Sequence, residues 1–156
     1  MTLALYEPQP EAFGGRMYGR DVMIDSSCML DYDPWSHAEM LGVPIVPKAE
    51  LPTPRMVACY SSRYNAIFVR HNLHGAVERC AIAHEIVHYE YNDIGTTKSQ
   101  EDRADRISAR RLIRPSRIEE FEGETEDPAV IALELNVTEL VMRQYMRMLR
   151  QGFRHG

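Results

Sequence analysis

The chain has 156 residues, is 44% hydrophobic and 26% charged, and carries a formal net charge of -5. That length suits one compact domain or one domain plus a small appendage, and that composition supports a real core in an ordinary soluble protein. It also argues against a broad basic surface for nucleic acid and against a membrane span, since no apolar run approaches the necessary length.

The first segment, residues 1–30, contains Pro8, Pro10 and paired glycines and reads as a loosely ordered arm with one short strand at "DVMI". It has no basic start followed by an apolar stretch, so no signal peptide is expected. "DPWSHAEMLG" follows. Asp33 is placed to cap a helix, Pro34 to open it and Gly42 to close it, with Trp35, Ala38 and Leu41 sharing one face. "VPIVP" is expected to be extended and "LPTPR" a proline-stiffened loop. "MVACYSS" and "NAIFVRH" are β-rich runs that predict an antiparallel hairpin turning around Arg63, Tyr64 and Asn65.

"GAVERCAIAHEIVHYEY" predicts the first long helix, with Val77, Cys80, Ala81, His84 and His88 along one side. A loop containing Gly95 leads to a second long helix, "SQEDRADRISARRLIRP", with Ser99 and Asp102 spaced like a capping box and Pro115 at its end. The stretch from Glu119 to Asp127 is acidic. The tail then predicts a helix, a tight turn at Asn136 and a final helix, capped by Asp127 and Thr138. The expected architecture is α+β: a small antiparallel sheet against a helix pair, followed by a short helical module. The expected divisions are an arm over 1–30, a core over 31–115 and a module over 116–156.

His84 and His88 are four residues apart, so a helix aims both imidazoles at one point, with Glu85 just round the helix. The plainer alternative is a pair of core histidines. A catalytic zinc ion takes three protein ligands and leaves one position open. Glu101, in the first turn of the next helix, is the expected third ligand, because "NDIGTTKS" is long enough to bring that turn back. Glu90 is expected to point away. Asp105 lies one turn beyond Glu101 and is expected to accept a hydrogen bond from the outer nitrogen of His84. Ala104 and Ser108 on the same face permit close helix packing, while arginines 103, 106, 110, 111 and 114 read mostly as a solvated face.

"AHEIVH" followed by "QEDRADRISARRLIRP" resembles the ImmA/IrrE family of bacterial and phage zinc metallopeptidases. The matching positions are His84, Glu85, His88, Glu101, Ala104, Asp105, Ala109, Leu112 and Pro115. Asp105 stands where asparagine is commoner, and Tyr91 stands where a longer histidine motif would need glycine. The resemblance covers about residues 31–115 and, loosely, the C-terminal helices. It implies a zincin-like fold, Zn2+, and limited proteolysis of a DNA-binding repressor or antitoxin.

In that chemistry Glu85 acts as general base. Tyr60, Tyr64, His71, His74 and Tyr89 are the candidate donors to the transition-state oxyanion. Of the three cysteines, Cys80 reads as a small buried hydrophobe and Cys28 is the thiol that a latency switch would use. The odd count without CxxC suits a reducing cytoplasm. The tail has helix-turn-helix spacing, with Arg143, Gln144, Arg147 and Arg150 on the side a DNA reader would expose, but Glu139 in its first turn favours a packing module over direct DNA binding. A DNA-binding or repressor-sequestering protein without proteolysis is the competing function. An undamaged Glu85 and three ligands rather than four favour the enzyme.

Overall fold

The computed structural model describes residues 31–152, so the expected arm, its "DVMI" strand and Cys28 lie outside the described residues. From Asp31 onward the chain forms one compact unit. Its elements are α1 (Pro34–Leu41), β1 (Ile45–Lys48), β2 (Ala58–Ser61), β3 (Ala66–Arg70), α2 (Gly75–Glu90), α3 (Lys98–Leu112), α4 (Pro115–Glu119), α5 (Pro128–Glu134) and α6 (Glu139–Arg150). The class is α+β, as the sequence predicts. Among the described residues no helix is long and apolar enough to cross a membrane.

The sheet is mixed rather than antiparallel. Its order is β1-β3-β2, with β2 antiparallel and β1 parallel to β3. The hairpin forms as expected, and Asn65 takes the left-handed conformation in its turn. The difference lies in "VPIVP", which becomes a strand: the proline-rich loop after it carries the chain across, so that β3 inserts between β1 and β2. Pro47 is tolerated because β1 is an edge, and Pro44 and Lys48 offer carbonyls to Ile67 and His71.

α1 is capped as predicted, by Asp33 accepting from the Trp35 N–H and by Gly42 in the left-handed conformation. Its buried stripe runs through Pro34 and Ala38, one turn apart, and leaves Trp35 exposed. α3 starts earlier than Ser99 predicts. Thr97 caps it, accepting from the Gln100 N–H while the Gln100 side chain accepts from the Thr97 N–H. Thr-x-x-Gln is itself a capping box, and it outranks the Ser99 spacing because Ser99 already lies within the first turn.

α2 carries buried residues on two sides because it is sandwiched. Ile82 and Ile86 join Ala38, Val43, Ile67 and Val69 in a core against the sheet. Cys80 and Ala83 join a second core with Ala109, Leu112, Ile131, Met142 and Tyr145 from the other helices. Each fully buried isoleucine contributes about 1.5–3 kcal/mol. The seam between these cores is where His84 and His88 emerge.

The C-terminal helices match their predicted caps, with Asp127 and Thr138 accepting from Ala129 and Val141, and Asn136 in the left-handed conformation between α5 and α6. Arg79, only 6% exposed, fastens this module to α2. Its guanidinium donates to the carbonyls of Leu135, Asn136 and Tyr32. Replacing Arg79 with Ala should therefore strand three acceptors and destabilise the fold by about 2–4 kcal/mol in a denaturant titration, with Lys restoring only part. A loss below about 1 kcal/mol would show that the clamp is dispensable.

Candidate metal centre

α2 and α3 meet along small buried side chains: Ala83 from α2, and Ala104, Ser108 and Ala109 from α3. That closeness brings the first turn of α3 over the seam of α2. Nε2 of His84 lies 3.1 Å from Nε2 of His88. The Glu101 carboxylate bridges both, with Oε2 3.2 Å from His84 and Oε1 3.2 Å from His88. These three side chains are the one group among the described residues arranged to hold a metal ion.

The outer nitrogens explain the orientation. Asp105 Oδ1 lies 3.1 Å from Nδ1 of His84, as the spacing predicts. Asp93 Oδ2 lies 2.8 Å from Nδ1 of His88. An ionised carboxylate only accepts, so each Nδ1 facing one carries hydrogen, and whenever the rings are neutral both Nε2 atoms present lone pairs. Three acceptor sites then face one another with no donor between them, an arrangement that a cation relieves. The spacing also fits: zinc with ligands at about 2.0–2.1 Å gives tetrahedral edges of about 3.3 Å.

Burial pulls the His84 pKa down, but Asp105, Glu85 and Glu101 outweigh it and leave it above the usual value. For Asp93, burial pushes upward, yet hydrogen bonds from His88 and Arg103 hold the carboxyl below its usual range. The Asp93 carboxylate therefore stays an acceptor at neutral pH.

Glu85 stands beside the group without joining it. Its Oε2 accepts from the Tyr60 N–H at 2.7 Å, which ties α2 to β2. Burial raises its pKa, against His84 and the Tyr60 N–H, which lower it, and the net direction is upward. A carboxylate whose pKa is raised is a better proton acceptor than an ordinary one.

All five of these side chains, His84, Glu85, His88, Glu101 and Asp105, line one cavity of about 1020 Å³. Of the five candidate oxyanion donors, Tyr60 alone lines it. Its ring packs edge-on against Tyr89. Tyr89 donates to the Leu41 carbonyl, Tyr64 is exposed against Phe68, His71 is exposed, and His74 caps α2 by accepting from the Ala76 N–H. Glu90 points away, as expected, toward Arg111 and His37. Cys80 is buried, as expected, and accepts from the Thr138 N–H.

Sequence reasoning missed Asp93, whose only signal is a carboxylate just beyond the helix end, five residues after His88. It also misread three arginines as solvated. Arg103 pairs with Asp93, Arg111 with Glu90 and Arg114 with Asp31. Gln144, expected to be exposed, is half-buried and donates to Asp105 Oδ2 at 3.0 Å.

Glu101→Ala should lower zinc content, measured by elemental analysis after dialysis, since one ligand is gone. Asp105→Ala should cost about 10–100-fold in zinc affinity, and Asp105→Asn less, in a chelator competition. A fully zinc-loaded Glu101→Ala protein removes Glu101 from the ligand set.

Compared with known proteins, the chain matches no family model and no curated protein to a significant level, so the centre stands on its own geometry.

Proposed function

We propose that the protein is a zinc-dependent endopeptidase of the ImmA/IrrE type, cleaving a helix-turn-helix repressor or antitoxin in the cytoplasm. The observation that carries the reading is the position of Glu85: cavity-lining, outside the ligand trio, and held by a backbone N–H. A structural metal has no need of such a neighbour and commonly takes four protein ligands.

His84, His88 and Glu101 would hold the ion. When bound, zinc supplies a Lewis acid for the scissile carbonyl and lowers the pKa of water to about 7. Glu85 takes the proton from the attacking water and returns it to the leaving amine. Asp105 and Asp93 keep the imidazoles in the ligating tautomer.

The sheet edge suits an extended peptide. The Arg70 N–H bonds the Val57 carbonyl, so alternation along β2 turns the backbone groups of Ala58 and Tyr60 outward, away from β3. Both residues line the cavity. The Tyr60 N–H is taken by Glu85, and the remaining outward groups of Ala58 and Tyr60 are where a substrate strand would pair, as peptides add to exposed strands elsewhere. The zincin-like reading of the fold is this relation of strand edge to metal-bearing helices. The helix-turn-helix-like module contributes Leu140 and Val141 to the opposite wall and is read as a substrate-docking element.

Incubating the zinc-loaded protein with the repressor encoded beside its gene should yield two fragments. A chelator should stop the reaction. Glu85→Gln should retain zinc and fold while losing about 10²–10⁴-fold in cleavage rate, because the amide keeps the shape but accepts no proton. Retained cleavage above a hundredth of wild type would remove Glu85 as the base.

A further inference from the structure

Asp93 is the most heavily bound carboxylate near the centre, and the motif does not contain it. Its side chain is 6% exposed. The chain reaches it by a tight reversal after α2, with Asn92 in the left-handed conformation and the Asp93 N–H donating to the His88 carbonyl at 3.0 Å. That reversal folds the carboxylate back under the imidazole.

Every remaining site on the carboxylate is taken from α3. Arg103 donates to Oδ1 at 2.6 Å and to Oδ2 at 2.8 Å. Gln100 donates to Oδ1 at 3.1 Å while its own carbonyl caps the helix through the Thr97 N–H. The Arg103 guanidinium lies 4.0 Å above the Tyr91 ring, which fixes it from the other side. Gln100 and Arg103 flank Glu101 on the same helical turn. One carboxylate thus joins the histidine at the end of α2 to the turn of α3 that carries the third ligand.

Resting on the metal-site reading above, we propose that Asp93 and Arg103 form a positioning clip that sets His88 and Glu101 at ligating distance, so that metal affinity depends on an arginine that never touches the metal. The clip fixes two things together: the His88 ring, through Nδ1, and the spacing of α2 from the first turn of α3. Asp105 does the first for His84 alone. Arginine suits the task because its planar fork reaches both carboxylate oxygens, whereas an ammonium engages as a point charge and loses the ring contact.

The test uses the full chain, with zinc affinity read by chelator competition and ligand geometry read from the visible spectrum of the cobalt-loaded protein. Asp93→Ala should weaken zinc about 10–100-fold and change the cobalt spectrum. Arg103→Ala should move both readouts in the same direction by less, since Gln100 and His88 still hold Asp93, and Arg103→Lys should recover part of the loss. Asp102→Ala, which removes an exposed ion pair with Lys98 on the same turn, should change neither. Arg103→Ala keeps the test decisive if Asp93→Ala does not fold. Folded variants with wild-type zinc affinity and an unchanged cobalt spectrum would overturn the clip. A wild-type protein that takes up neither zinc nor cobalt would overturn the metal reading itself.

Discussion

The convergence of three side chains on one point is the constraint around which the centre is arranged. His84, His88 and Glu101 present acceptors within 3.2 Å of one another, inside a partly buried seam where water screens poorly. Left to themselves the side chains would rotate apart. They are held by the short approach of α2 to α3, which small residues allow, and by carboxylates that grip each ring from behind. A larger side chain at Ala104 or Ala109, both fully buried, would separate the helices and relax the conflict.

The same crowding concentrates negative charge. Glu85, Asp93, Glu101 and Asp105 surround the two imidazoles, and the arginine paired among them is Arg103, which serves Asp93. A cation held where the three side chains converge would offset that charge. The residual asymmetry is useful. Asp93 is saturated by hydrogen bonds from His88, Arg103 and Gln100, whereas Glu85 accepts one hydrogen bond, from the Tyr60 N–H, and lines the cavity. Two chemically identical groups are given different work by their hydrogen bonds.

Sequence spacing was sufficient wherever the determining contacts were local. The i, i+4 relation of His84 and His88, the capping by Asp33, Asp127 and Thr138, and the hairpin turn at Asn65 all follow from near neighbours. Glu101 and Asp105 were also legible, because a second helix with small residues has few ways to pack on the first. The sheet was not. Whether "VPIVP" pairs, and with which strand, depends on the path of a proline loop that no local pattern encodes. Asp93 was hidden for a related reason: its role needs Asn92 to turn back and α3 to supply Arg103 from the far side. Arg103, Arg111 and Arg114 look alike in sequence, and only the tertiary arrangement gives each its own carboxylate.

The last two helices illustrate how shape and role separate. Their spacing resembles a DNA reader's, yet two of the four side chains that such a reader would expose are engaged within the protein. Gln144 donates to the Asp105 oxygen that His84 does not use, and Arg143 is paired with Glu139 on its own helix. α6 therefore faces the metal centre along one side and lends Leu140 and Val141 to the cavity wall. A ligand pressing on that wall pushes against the helix that holds Asp105, and through Asp105 against the ring of His84. The α6 wall and the His84 ring are thus linked through two contacts, Gln144 to Asp105 and Asp105 to His84.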